Sequence, residues 1–72
     1  MQNKTGAFMK KERFINIAEV ENRTGLSKAV IYSRMKKNNF PSPVSLGART
    51  KRWLESEIDK WISSQIETRK SI

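Results

Sequence analysis

The segment of residues 16–37 reads NIAEVENRTGLSKAVIYSRMKK, and its pattern predicts two short helices joined by a tight turn. Asn16 is placed to accept hydrogen bonds from the exposed N–H groups of the first turn, with Glu19 three residues later, as in a capping box. Gly25 marks the end of the first helix, because glycine adopts a left-handed helix stop without strain. Ser27 provides a second N-cap, so that the second helix follows the turn directly.

The two predicted helices cover residues 17–23 and 28–37. Ile31 and Met35 are four residues apart and point at the core, while the opposite face of the second helix carries small and polar side chains with lysines. A helix, a glycine-containing turn and a second helix form the outline of a helix-turn-helix, whose second helix enters the DNA major groove. Other helical hairpins share this outline, so the rest of the sequence is needed to distinguish a helix-turn-helix from them.

Length and composition narrow the possible functions. The chain has 72 residues, which predicts one small domain with a modest core. It contains no cysteine and no histidine, which removes thiolate metal sites, the usual zinc ligands and the commonest general base. There is no apolar run of about 18 residues that would span a membrane, and the N-terminus lacks the apolar region of a signal peptide. The composition favours a cytoplasmic binding protein without a cofactor over an enzyme.

The positive charge is concentrated in one part of the chain. The net charge is +8, and residues 22–54 contain eight basic residues and no acidic one, while the remainder has seven of each. Such segregation predicts a face that binds a polyanion; the alternative is a solvated basic surface. The eight basic residues are Arg23, Lys28, Arg34, Lys36, Lys37, Arg49, Lys51 and Arg52.

A β-hairpin is predicted after the second helix. Val44 and Leu46 alternate as on a strand and are expected to point inward, residues 47–51 form a polar loop, and residues 52–54 form the return strand. Two strands alone are barely stable, so Trp53 must pack on the helices. A basic hairpin that follows a helix-turn-helix predicts a wing, whose tip reaches the DNA backbone or the minor groove.

The last predicted helix opens near Ser56, which is the expected N-cap, with Asp59 as its partner three residues later. Glu55, Glu57 and Asp59 suit the positive start of a helix; a metal site is the alternative for this acidic group. Trp61 is predicted to belong to the core.

Three further aromatic and apolar residues are expected to pack on the domain, namely Phe14, Ile15 and Phe40. Pro41 and Pro43 fix the backbone after the second helix, and either bond before them could be cis or trans.

Short motifs along the chain have an order and spacing that together are specific. They are Arg13-Phe14-Ile15, Arg23-Thr24-Gly25-Leu26-Ser27, Ile31-Tyr32, Met35-Lys36, Phe40-Pro41-Ser42-Pro43, Leu46-Gly47, Arg52-Trp53, Glu55-Ser56-Glu57-Ile58-Asp59 and Trp61. These motifs resemble the AlpA family of small phage and prophage regulators, which is related to excisionases and to the winged DNA-binding domain of MerR-type regulators. The resemblance covers residues 13–69.

The resemblance implies a winged helix-turn-helix that binds double-stranded DNA. Some members regulate transcription of integrase or other prophage genes, and others are recombination directionality factors that bend DNA for excision. The family's recognition helix falls on residues 27–37 and its wing on residues 46–53. Ala29 and Val30 stand where small hydroxyl residues are often found, a departure that concerns base specificity.

The sequence therefore predicts an α+β, mainly helical fold: a winged helix-turn-helix with three helices and a two-stranded hairpin wing at residues 13–69. A flexible basic tail at residues 1–12 and a frayed end at residues 70–72 flank it. The predicted function is sequence-specific binding of double-stranded DNA by a transcriptional regulator, cytoplasmic and associated with the nucleoid. The predicted DNA contacts are Ser27, Lys28, Ala29, Tyr32, Ser33, Lys36, Lys37, Arg49, Thr50, Lys51 and Arg52.

Several alternatives stay open at this point. An excision factor needs the same wing and helix as a regulator. A small RNA-binding protein would stack unpaired bases on exposed aromatics, for which Tyr32 is the candidate. An adaptor would dock integrase or RNA polymerase, an activity that is compatible with DNA binding. One module covers a short site, so a dimer or cooperative tandem copies are expected on DNA.

Overall fold

The computed structural model describes residues 11–70, and residues 1–10 and 71–72, which contain most of the predicted tail and frayed end, lie outside the described residues. Within this part, three helices and three short strands alternate along the chain. They are β1 (Phe14–Ile15), α1 (Ile17–Thr24), α2 (Lys28–Lys36), β2 (Val44–Ser45), β3 (Lys51–Leu54) and α3 (Glu55–Lys70). The predicted α+β winged helix-turn-helix is confirmed.

The caps of α1 and α2 follow the sequence signals. The Asn16 side chain accepts a hydrogen bond from the Glu19 N–H at 2.9 Å, and Gly25 ends α1 with a left-handed φ of 76°. The Ser27 side chain accepts from the Val30 N–H at 3.2 Å and so caps α2. Each cap satisfies backbone groups that the helix leaves without partners, which fixes where both helices begin and end.

The core lies where α1, α2, α3 and the sheet meet. Six of the residues that the structure describes are buried: Ile15, Val20, Ile31, Phe40, Trp53 and Ile58. Trp53 is 1% exposed, and its indole N–H donates to the Pro41 carbonyl at 2.9 Å. Phe40 packs on Trp61 with ring centroids 4.8 Å apart. The core roles predicted for Ile31, Phe40 and Trp53 are thus confirmed, and among the described residues no peptide bond is cis.

The sheet places β3 in the centre, with β1 and β2 antiparallel on either side. Ile15 lies opposite Trp53 and Val44 lies opposite Arg52. Because successive side chains of a strand point to opposite faces, Val44 shares the outer face with Arg52, away from Trp53. Val44 and Leu46 are 37% and 49% exposed, so the prediction that they point inward is wrong.

Phe14 also departs from the prediction. It lies opposite Leu54 on the outer face of the sheet and is 48% exposed, whereas its neighbour Ile15 is buried. A two-residue strand turns only one of its side chains to the core, so only Ile15 packs there.

The start of α3 differs from the expected cap at Ser56. The helix begins at Glu55, directly after the last residue of β3, and the Glu55 N–H donates to the backbone carbonyl of Arg13 at 2.8 Å. The Arg13 carbonyl thereby satisfies one of the N–H groups that have no acceptor within the helix. The Ser56 hydroxyl instead donates to the carboxylate of Glu12 at 2.9 Å.

Candidate nucleic-acid interface

The outward face of α2 carries most of the predicted DNA contacts. Ile31 is fully buried, which fixes the rotation of the helix and turns the opposite side to solvent. The predicted contact residues on this helix and at its cap are all exposed: Ser27, Lys28, Ala29, Tyr32, Ser33, Lys36 and Lys37. The structure therefore brings these seven residues onto one accessible surface of cations, hydroxyls and one aromatic ring.

Part of this face is concave. Ala29, Val30, Ser33 and Lys37 line a shallow depression of about 430 Å³ beside the end of α2. Ala29 and Ser33 have small side chains, so another molecule can approach the helix backbone closely there.

Two backbone donors in the first turn of α2 are already occupied. The Lys28 N–H donates to the carboxylate of Glu21 at 3.0 Å, and the Val30 N–H donates to the Ser27 hydroxyl. The contact of Glu21 was not predicted from the sequence. An anion that approaches this end of the helix therefore meets the Lys28 side chain and the Glu21 carboxylate, and the N–H groups of Lys28 and Val30 are not free to bind it.

The wing presents the second set of predicted contacts. The Leu46 N–H donates to the Thr50 carbonyl at 2.7 Å and closes the hairpin loop. Arg49 and Lys51 are exposed, while Thr50 and Arg52 are half-buried. The cations at the tip of the wing are thus accessible, and Arg52 is held close to its own strand by a hydrogen bond to the Lys51 carbonyl at 3.0 Å.

Arg23 belongs to the basic segment, but its guanidinium is bound by carboxylates of the protein itself. Its guanidinium binds the carboxylates of Glu19 at 3.0 Å and Asp59 at 3.1 Å, and also that of Glu55. The hydrogen bond that Arg23 donates to the Glu19 carboxylate raises the pKa of Arg23 above its ordinary value; desolvation opposes this shift, and the charges of Glu55, Asp59 and Glu19 add to it. The side chain of Arg23 therefore connects α1 to α3 and is not part of the basic face.

The acidic start of α3 is explained by the same contacts. Glu55 and Asp59 both bind Arg23, and Glu55 also lies 3.5 Å from the guanidinium of Arg13. Within residues 11–70, no group of acidic side chains is arranged to hold a metal ion. None of the helices described there is long and apolar enough to cross a membrane.

Arg34, the remaining cation of α2, lies against the core. Its guanidinium carbon is 5.7 Å from the centre of the Trp61 ring, and the Trp61 indole N–H donates to the Asn39 carbonyl at 3.1 Å. This stacked arrangement connects the end of α2 to α3.

Comparison with known proteins agrees with this arrangement of elements. Residues 13–66 match the family described as prophage CP4-57 regulatory protein (AlpA). The chain belongs to the AlpA family. It is similar to the uncharacterized protein ORF88 of Enterobacteria phage P4, with 42% identity over 59 residues that cover 82% of this chain and 67% of the phage protein.

A second AlpA relative carries a functional name. The DNA-binding transcriptional activator AlpA of Escherichia coli K12 is 30% identical over 59 residues, which cover 74% of this chain and 84% of the activator. No solved structure matches the chain. AlpA is a family of phage regulatory proteins rather than a class of enzymes, and the match spans both helices of the helix-turn-helix and the wing.

Proposed function

We propose that this AlpA protein is a sequence-specific regulator of transcription that binds double-stranded DNA. In this proposal α2 enters the major groove with its outward face, and the wing contacts the adjacent minor groove or the backbone. The observation that carries the proposal is the composition of the α2 face, where exposed cations, hydroxyls and Tyr32 occur without a carboxylate side chain pointing outward from the helix. The relative named as a DNA-binding transcriptional activator supports regulation over excision.

The distribution of aromatic rings argues against an RNA reader. Trp53 is buried and Trp61 packs on Phe40, so neither offers a free face for stacking. Recognition of single-stranded RNA relies on exposed aromatic platforms, and the exposed aromatic side chains among residues 11–70 are Tyr32 on α2 and Phe14 on the outer face of the sheet. They belong to different elements, and Tyr32 is the one aromatic side chain of the α2 face. A duplex is therefore the favoured ligand.

Substitutions on the α2 face test the proposal. Lys36→Ala and Ser33→Ala should leave the fold intact, because both side chains are exposed. They should weaken binding to the specific duplex more than binding to random duplex, because base contacts carry sequence information whereas phosphate contacts do not. The measurement is a titration with four nucleic acids. They are a duplex site identified by footprinting on the phage or prophage DNA, random duplex, single-stranded DNA and structured RNA.

Lys60→Ala is the matched control, because Lys60 is an exposed lysine on α3 with no proposed contact to DNA. It should change the affinity for all four nucleic acids little. Equal losses for Lys36→Ala on specific and random duplex would reassign that side chain to the backbone, and preferential binding of structured RNA would overturn the proposal.

A further inference from the structure

One face of α3 is not used by the core or by the proposed DNA contacts. Ile62 packs partly against the core, but Ile66, one turn later, is 47% exposed. Together with Leu26 from the α1–α2 turn, these residues line a groove of about 320 Å³. The groove thus has an apolar floor that opens to solvent.

The two ends of this face carry opposite charges. Asp59 gives one carboxylate oxygen to Arg23 but keeps 59% of its side chain exposed. At the other end, Arg69 lies on the groove and is exposed. The carboxylates of Glu19 and Glu55 lie close to the Asp59 end, so Arg23 does not make that end positive.

Asp59, Ile62, Ile66 and Arg69 follow each other at spacings of three, four and three residues, which is the spacing of a seam between packed helices. We call these four residues the α3 stripe. Its sequence is symmetric about Ser64, because an acid and a base stand at equal distances on either side and two isoleucines stand between them. An antiparallel copy of the stripe therefore presents Arg69 to Asp59 and Ile66 to Ile62.

We propose that the α3 stripe binds the α3 stripe of a second copy of this chain in an antiparallel, two-fold symmetric dimer. A two-fold interface requires a surface that is complementary to itself, and the stripe meets this requirement in the order of its charged and apolar residues. Each interface forms two Asp59–Arg69 pairs and buries Ile62 and Ile66 of both copies.

The proposed dimer leaves the DNA-binding surface free. None of the residues that line the groove is among the predicted DNA contacts. The net charge of +8 on each copy opposes association, and exposed ion pairs contribute little individually, so the dimer is weak in free solution. On DNA, two copies held on neighbouring sites meet at a high effective concentration, where a weak contact is enough for cooperativity.

Sedimentation equilibrium of the full chain without DNA tests the dimer independently of the proposed function. The wild-type chain should dimerise with a dissociation constant at or below about 1 mM. Arg69→Glu should weaken the dimer about tenfold, because it replaces two attractions with two repulsions. Lys60→Glu is the matched control, since it makes the same charge change on α3 outside the stripe. General charge repulsion predicts that both variants dimerise more tightly, so the sign of the Arg69→Glu effect is decisive.

Mixing two variants gives a second test. Copies with Arg69→Glu and copies with Asp59→Lys should each dimerise poorly alone. An equimolar mixture should form a heterodimer in which one Asp59–Arg69 pair is retained and the other is restored with reversed sign. Thermal melts at low concentration confirm that each variant is folded. The absence of a wild-type dimer at about 1 mM, an Arg69→Glu effect equal to that of Lys60→Glu, or a mixture no more associated than its components would overturn the proposal.

Discussion

Trp53 is the residue on which the stability of the small core depends most. Its side chain is fully buried, lies opposite Ile15 and donates a hydrogen bond to the Pro41 carbonyl. Trp53→Ala should lower the free energy of unfolding by about 3–5 kcal/mol, as expected for a large cavity, which is comparable to the whole stability of a domain of this size. Thermal denaturation followed by circular dichroism provides the measurement.

Trp53→Phe separates the two contributions of this residue. It retains an aromatic ring but leaves the Pro41 carbonyl without its donor, at a cost of about 1–3 kcal/mol. A melting temperature that is unchanged in both variants would contradict the burial of Trp53.

Arg23 and Lys28 are both cations of the basic segment, but the structure assigns them different roles. Arg23→Met should lower the melting temperature, because three carboxylates lose their shared partner, and should change the intrinsic affinity for DNA little. Lys28→Met should do the opposite, because its side chain is exposed on the proposed interface. Melting temperatures and duplex titrations of the two variants provide the measurement. Because each substitution removes one positive charge, equal effects of the two variants on stability and on affinity would mean that net charge, and not the position of the side chain, determines both.

Among the elements, the wing has a proposed role in DNA binding that can be tested directly. Arg49 stands near its tip and is exposed. If it enters the minor groove, Arg49→Ala should weaken binding by about 1–3 kcal/mol. The loss should be larger when the site is flanked by an A-tract, because a narrow minor groove has a more negative potential. Affinities for two duplexes that differ only in their flanks provide the measurement, with Lys60→Ala as the control.

The size of the Arg49→Ala effect on the two flanks distinguishes three arrangements. A larger loss on the A-tract places the side chain in the minor groove, and equal losses on both flanks place it on the phosphates. If the substitution leaves both affinities unchanged, the wing does not contact DNA.

Sequence reasoning predicted the elements whose signals are local. Asn16, Gly25 and Ser27 act within four residues of their own positions, so the bounds of α1 and α2 could be read directly from the chain. The strand register could not be predicted this way, because alternation within one strand does not show which residue of the neighbouring strand lies opposite it. Trp53 was correctly assigned to the core, but Val44 pairs with Arg52 and therefore faces outward.

The start of α3 and the role of Arg23 depend on contacts between distant parts of the chain. The Glu55 N–H donates to the Arg13 carbonyl. Arg23 binds Glu55 and Asp59, which lie 32 and 36 positions further along the chain. Local patterns contain no information about such pairs. The predicted contacts on α2 and the wing rest instead on charge and on the expectation of exposure. Those on α2 and its cap are exposed, whereas Thr50 and Arg52 on the wing are half-buried.

For the whole molecule, the separation of charge predicts how binding responds to salt. Because Arg23 is bound by the carboxylates of Glu19, Glu55 and Asp59, the exposed cations of α2 and the wing remain to neutralise phosphates. If they engage about five phosphates, the logarithm of the binding constant should fall with the logarithm of salt concentration with a slope of about −4 to −5. Titrations at several salt concentrations measure this slope, and a value flatter than about −2 would be inconsistent with an electrostatic face.

The direct passage from β3 into α3 affects where the chain tolerates insertions and deletions. Leu54 pairs with Phe14, and Glu55 donates to Arg13, so one extra residue at this junction would rotate α3 by about 100° and carry Ile58 out of the core. The loop between β2 and β3 has no buried side chain and carries no such constraint. Variation in length should therefore be confined to the tip of the wing, where added or lost residues alter the reach of Arg49 without disturbing the fold.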